Sequence, residues 1–237
     1  MTINMRRSPG IVLRIWEIGE TDLLASVFTK DQGAIRGVAK GGRKSARRFV
    51  NCLDTFCLIH LEYEPRKKGD LYFLHSCKLV HAFPGIRDDF SSLALASYMA
   101  EITEILFPLG VSAQRMYALL KDSLEALEQE DRRDLIRMYF EARAMTLGGY
   151  GISLDRCVGC GRPYRGEGKA VFVPKQGGIA CLGCQEPSKL SPALGPDAVT
   201  GLRCAQEAKR AELEQLSLDD EFIQEVQSVL HLHPYGC

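Results

Sequence analysis

The chain has 237 residues, 46% hydrophobic and 25% charged, the proportions of a globular protein with a core and not of a disordered or collagen-like one. Its apolar runs, such as Ile11–Leu13 and Val226–Leu230, fall far short of the roughly 18 residues a membrane span needs. The first twenty residues lack the long apolar stretch and small-residue cleavage site of a secretory signal, so a cytoplasmic protein is expected. The formal net charge is zero but unevenly spread: residues 1–80 hold 14 Lys/Arg against 8 Asp/Glu, and residues 81–156 hold 8 against 12. Residues 157–190 hold 5 against 2, and residues 191–237 hold 3 against 8. A basic first third beside a largely acidic remainder directs polyanion contact to the N-terminal part.

Residues 8–80 read as five short strands, GIVLRIWEIG, LLASVFTKDQG, AIRGVAKGG, FCLIHLEYEP and LYFLHSCKLV, separated by Gly, Pro, Asp and Lys clusters. Ile11, Leu13 and Ile15 alternate, as do Ile59, Leu61 and Tyr63 against Leu58, His60 and Glu62. A five-stranded oligonucleotide-binding barrel fits, and an SH3-like barrel would carry the same pattern. After Pro84 the period becomes helical: Leu95, Met99, Ile102, Leu106; then Met116, Leu119, Leu120, Leu124, Leu127; then Leu135, Met138, Tyr139, Ala142, Met145. Pro108 and Gly148-Gly149 are stops. Ser191-Pro192 reads as an N-cap with proline at the first helical position. Ser217 with Asp220 resembles a capping box before the stripe Phe222, Val226, Val229, Leu230. These stripes are read first as core packing of a helical bundle. The expected organisation is an α+β multidomain chain: a barrel over 1–80, a helical domain over 81–156 and 191–237, and a cysteine insert over 157–190.

Nine cysteines are many for this length, and four form two pairs, Cys157/Cys160 and Cys181/Cys184. C-x₂-C, twenty residues, C-x₂-C is a zinc spacing. Two intervening residues let both thiolates of a pair face one ion, and four thiolates close a tetrahedron with no open position, so one structural zinc is expected. Gly159, Gly161 and Gly183 suit tight knuckle turns, and FVPKQGGIAC reads as a hairpin turning at Gly177-Gly178. Cys52, Cys57, Cys77, Cys204 and Cys237 are scattered and read as small buried hydrophobes.

Lys40, Arg43, Lys44, Arg47 and Arg48 in AKGGRKSARRF, and Arg66, Lys67 and Lys68 in EPRKKGD, lie at strand ends. There they would neutralise phosphates with little sequence preference. Phe49, Phe56, Tyr63, Tyr72 and Phe73 are candidate stacking surfaces. Gly37 to Ser45 comes near a phosphate-binding loop, but Arg43 separates Gly42 from Lys44 and no helix pattern follows, so nucleotide hydrolysis is not expected. No catalytic arrangement appears: there is no H-E-x-x-H or G-x-S-x-G, and His231 and His233 near the chain end form no ligand pattern. Asp88-Asp89 and Asp219-Asp220 read as acids at helix N-termini.

The run Val12, Leu13, Glu20, Asp22, Phe28, Thr29, Gly33, Gly37, Ala39, Lys40, Gly41, Arg43, Ser45, with Leu154 and Asp155 leading into Cys157 and Cys160, resembles the bacterial DNA repair family RecO along essentially the whole chain. That resemblance implies an oligonucleotide-binding fold and a non-enzymatic recombination mediator. It would bind single- and double-stranded DNA, anneal complementary strands coated with single-stranded-DNA-binding protein, and help load recombinase together with RecR. The C-terminal HLHPYGC is shorter and less basic than the tail usual in that family. For the acidic tail of single-stranded-DNA-binding protein, Arg132, Arg133, Arg137 and Arg143 are candidate cations. A zinc-ribbon accessory factor of transcription or translation is the rival expectation.

Overall fold

A computed structural model describes residues 5–66, 69–129, 131–208, 210–213 and 220–232. The chain divides into two compact units, Met1–Arg133 and Asp134–Cys237.

The β-branched and aromatic segments of the first unit form β1 (Arg6–Ile18), β2 (Asp22–Thr29), β3 (Gly33–Ala39), β4 (Leu58–Pro65) and β5 (Leu71–His81). They close into a barrel in the order β1-β2-β3-β5-β4. All neighbours are antiparallel except β3 and β5, which run parallel. A parallel contact requires the chain to cross over through β4, so this is no simple meander. It is the expected oligonucleotide-binding arrangement. The interior is filled by Val12, Ala25, Val27, Ile35, Ile59, Leu61, Tyr63 and Leu74. Gly37 belongs opposite Leu74, because a Cβ there would overlap the leucine side chain.

Strand β1 departs from the expected alternation of Ile11, Leu13 and Ile15. Its register against β2 shifts between Val12 and Arg14. This bulge puts Val12 and Ile15 against the barrel core, while Ile11 and Leu13 are buried outside that cluster. Beyond it Arg14 and Trp16 are exposed.

Helix α1 (Pro84–Asp88) is too short for periodicity to reveal and follows Phe83 in the left-handed conformation, φ 47°. Helix α2 (Phe90–Leu106) begins at Asp89, whose carboxylate accepts the Ser92 N–H at 2.6 Å, and stops before Pro108. Its buried face is Ser92, Ala96, Met99 and Thr103, while Leu95 and Leu106 of the expected stripe are only half-buried. Toward its end Glu104 accepts the Ser26 hydroxyl at 2.7 Å and pairs with Arg14 at 2.6 Å. Helix α3 is Gln114–Gln129 and buries the predicted Met116, Leu119, Leu120, Leu124 and Leu127.

Helix α4 (Arg133–Leu147) buries Leu135, Met138, Ala142 and Met145 as its period predicts. Gly149, at φ 90°, follows its end. In the second unit β6 (Ala170–Val173) and β7 (Gly178–Cys181) form the expected hairpin, with β8 (Ala193–Leu194) on the other edge of β6. The turn is Pro174–Gly177, with Gly177 at φ 57° and Gly178 already paired to Val173, one residue earlier than the Gly-Gly reading. Ser191-Pro192 does not start a helix. The Pro192 carbonyl accepts the Phe172 N–H at 2.9 Å and leads into β8, and helix α5 (Pro196–Glu207) starts after Gly195. Both Ser-Pro and Gly-Pro satisfy the local rule, and sheet pairing decides between them. Helices α6 (Arg210–Leu213) and α7 (Asp220–Leu232) follow, the latter burying Phe222, Val226, Val229 and Leu230. Ser217, Asp219, His233 and Cys237 lie outside the described residues. No described helix is long and apolar enough to cross a membrane.

Candidate metal centre and nucleic-acid interface

The cysteine insert is anchored before its first ligand. The Gln206 side chain bonds both the Ile152 N–H (2.8 Å) and its carbonyl (3.0 Å), and Arg203 donates to the Leu154 carbonyl at 2.8 Å. The Val158 N–H then donates to the Ile179 carbonyl at 2.8 Å, tying the first knuckle to β7. The Cys184 and Gln185 N–H groups both turn back to the Cys181 carbonyl, forming the second knuckle. Gly159 leaves room for the second knuckle, since a Cβ there would crowd Cys184, standing 3.0 Å from its Cβ and 3.2 Å from its Sγ.

The sulfurs of Cys157, Cys160, Cys181 and Cys184 lie within 4.8 Å of one another. Cys157–Cys181 and Cys160–Cys181 are 3.8 and 3.9 Å apart. A tetrahedron with bonds of about 2.3 Å has edges of about 3.8 Å, so these spacings fit zinc–thiolate geometry. Burial disfavours the Cys157 thiolate, but N–H groups of Cys160, Cys181 and Gly159 face it and bring its pKa down to about 6. The Cys184 thiol is pushed up to about 12 by its hydrogen bonds with Cys181, Cys160 and Cys157. The cluster accepts its first negative charge readily and resists its last, and a bound dication relieves that resistance. The donor set fits one closed, structural metal site.

Cys57 is buried as expected, but Cys52 and Cys77 form a disulfide with a Cα separation of 6.3 Å. They are 25 residues apart in sequence and meet only because β5 returns beside the loop before β4.

The basic run follows β3 as a 3₁₀ turn, Gly42–Lys44, and a loop. Asp22 sets where it starts, its carboxylate accepting the Gly41 N–H at 2.8 Å. That bond, ahead of the Thr21 hydroxyl and Lys40, holds the Asp22 carboxyl below its ordinary pKa against a smaller opposing effect of desolvation. Lys40, Arg43, Lys44, Arg47 and Arg48 lie at the surface of this loop, Lys44 and Arg47 among its exposed residues. Two of the five have internal work: Arg48 donates to the Lys40 carbonyl at 2.6 Å and lies over Phe49, and Arg43 pairs with Glu17 at 3.1 Å. Arg66 is exposed on the β4–β5 loop, and Lys67 and Lys68 lie outside the described residues.

Of the candidate stacking aromatics, Phe49, Phe56 and Tyr63 are buried and Tyr72 packs against the barrel core. Phe73 alone stays on the outside, with the Arg66 guanidinium 5.0 Å from its ring centre. Sequence reading missed Trp16, which is 39% exposed and has Arg36 at 6.0 Å from its ring centre. The signal was present in β1, but the bulge hid which face Trp16 would take.

The cations on α4 are largely engaged. Arg133 pairs with Asp89 (3.1 Å) and Asp131 (2.8 Å), Arg137 pairs with the buried Glu141 at 2.9 Å, and Arg143 donates to the Gln206 carbonyl. Arg132 is exposed.

Two family models match the chain: Recombination protein O N terminal over residues 1–83 and Recombination protein O C terminal over residues 87–233. The chain belongs to the RecO family. A DNA repair protein RecO of Geobacter metallireducens is 35% identical over 84% of this chain and 79% of its own length. RecO of Syntrophus aciditrophicus is 28% identical over 95% of this chain and 88% of its own. RecO of an Anaeromyxobacter strain is 34% identical over 80% and 72%. The RecO-like run falls on β1 to β3 and the basic loop, where several of its members have structural tasks. Asp22 holds Gly41, the Thr29 hydroxyl donates to the Gly33 carbonyl at 2.9 Å, and Gly37 makes room for Leu74.

Proposed function

We propose that this chain is a DNA-binding mediator of recombinational repair. It anneals complementary single strands and helps load recombinase onto strands coated with single-stranded-DNA-binding protein. The observation that carries this reading is the surface loop Lys40–Arg48 on a closed oligonucleotide-binding barrel, in a chain that RecO models match over residues 1–83 and 87–233. Its cations neutralise phosphates whatever the sequence, as an annealer requires. Arg66, Lys67 and Lys68 extend the same role. The chain performs no bond-breaking step, its cysteine cluster holds one structural zinc, and it works in the cytoplasm at the nucleoid. RecR and the acidic tail of single-stranded-DNA-binding protein are its protein partners. Arg132, just ahead of α4, is the best placed of these cations for that tail, Arg133 and Arg137 having carboxylate partners already.

The test is annealing of complementary oligonucleotides coated with single-stranded-DNA-binding protein, without nucleotide. Acceleration that depends on this chain supports the reading, and no acceleration with either naked or coated strands refutes it. A second reading, a ribbon that itself touches nucleic acid, is favoured by one feature. A cleft of about 450 Å³ beside Cys157 and Cys181 is lined by Arg162, Arg165 and Lys169. Loss of binding on replacing those three, with the barrel loop intact, would favour it.

A further inference from the structure

Residues 45–57, between the 3₁₀ turn and β4, form no helix or strand, yet the segment is held at several points. Asn51 (φ 53°) and Phe56 (φ 66°) both take the left-handed conformation, which a non-glycine residue keeps only where its surroundings impose it. The far end is tied by the Phe56 N–H to the Val12 carbonyl (2.7 Å) and by Arg87 to the Thr55 carbonyl (2.5 Å). The near end, beside the cations, rests on β5. There the Arg48 carbonyl accepts the Cys77 N–H at 2.9 Å, and Phe49 and Cys52 enter the barrel core. The disulfide from Cys52 to the same Cys77 ties the segment to that strand covalently. Lys44, Arg47 and Arg48 lie just ahead of this anchor, exposed.

That anchor stands in a chain whose other cysteine chemistry calls for thiols. Cys157, Cys160, Cys181 and Cys184 are free and fit a metal bound through thiolates. Where such thiols persist, disulfides are rare, and those that form are mostly transient or redox-sensing. Cys52 is fully buried but Cys77 only half-buried, so a small thiol or disulfide can reach one of the two sulfurs. Resting on the phosphate-binding reading of the loop, we propose that Cys52–Cys77 is a reversible redox latch. Its disulfide form fixes the loop that carries Lys44, Arg47 and Arg48, its dithiol form releases that loop, and duplex affinity follows. Exchange with glutathione closes the latch in two steps. The Cys77 thiolate attacks glutathione disulfide and expels one glutathione thiolate, and the Cys52 thiolate then attacks the Cys77 Sγ of the mixed disulfide and expels the second. Two electrons pass to glutathione disulfide, the two protons end on the released thiolates, and reduction is the reverse. The loop carries the same charge in both states, so the latch alters the cost of ordering its cations and not their number.

The full-length, zinc-loaded protein is equilibrated in glutathione buffers from reducing to oxidising, and the state of Cys52 and Cys77 is read by alkylation and mass spectrometry. The pair should pass reversibly between dithiol and disulfide with zinc retained. Limited trypsin digestion, which needs no DNA, should cut after Lys44, Arg47 and Arg48 roughly tenfold faster in the reduced protein. Duplex affinity should fall roughly three- to tenfold on reduction, while its slope against salt stays the same because no cation is lost. Cys52→Ala should behave as the reduced protein in every buffer. The wild-type cycle needs no substitution, so a variant that misfolds cannot mask the result. A pair that stays bonded in the reducing buffer, or unbonded in the oxidising one, overturns the latch, as does equal cutting in both states. Redox-dependent cutting with equal duplex affinity in both states overturns its control of DNA. Redox-dependent cutting with no duplex binding in either state overturns the phosphate-binding reading and leaves the latch standing.

Discussion

Removing the cations of the loop after β3 should flatten the salt dependence of duplex binding by a predictable amount. Each phosphate that the protein no longer neutralises lowers the slope of log K against log salt by about 0.9. Lys44 and Arg47 are exposed and have no ion-pair partner among the described residues. The double variant Lys44→Ala/Arg47→Ala should therefore flatten the slope by about 1.8. Adding Arg43→Ala and Arg48→Ala sets an upper bound of about 3.6. The full value is not expected, because Arg43 is partly held by Glu17 and Arg48 by the Lys40 carbonyl and the Phe49 ring. The assay is anisotropy of a labelled duplex between about 50 and 200 mM salt, repeated with an unrelated sequence. Both sequences should lose affinity alike. A wild-type slope in the quadruple variant, with the fold intact by circular dichroism, would refute the assignment of phosphate contacts to this loop.

Metal analysis of protein purified under reducing conditions without chelator should find about one zinc per chain, and Cys160→Ser should lose it. Zinc should also leave as pH falls, because protons compete with the metal for the four thiolates. Asp89→Ala should lower Tm at neutral pH. The Asp89 carboxyl is held below its ordinary pKa by the Ser92 N–H, then its hydroxyl and Arg133, so its contribution is complete above the usual carboxylate range. That contribution is lost as pH falls through the depressed value, and the Tm gap to wild type should close there. Gly33→Ala should destabilise by at least about 1–3 kcal/mol in a urea melt. Gly33 sits at φ 64°, and an added Cβ would overlap the Val111 carbonyl oxygen.

Short-range pattern foretold the elements that rest on it. Alternation in Ile59, Leu61 and Tyr63 located β4, and the stripes of α3 and α4 fixed their buried faces. The cysteine spacing foretold a four-thiol cluster because chelation geometry is local. What escaped depended on partners distant in sequence. Phe49, Phe56 and Tyr63 look as suitable for stacking as Phe73 until barrel closure buries them. Arg133 and Arg137 look like free cations until Asp89 and the buried Glu141 claim them. Cys52 and Cys77 show no motif, and only the return of β5 brings them together.

The bulge between Val12 and Arg14 sets where the length of β1 can change. Val12 pairs with Val27 and Arg14 with Ser26, which leaves Leu13 as the extra residue with no partner on β2. Side chains alternate with period two, so loss of one residue there would make the two pairs consecutive rungs and keep Ile15 inward and Trp16 outward. Loss of a residue where every position is paired would instead exchange the two faces beyond it. The bulge is therefore the one point in β1 able to absorb a deletion, and natural variation in strand length should gather there.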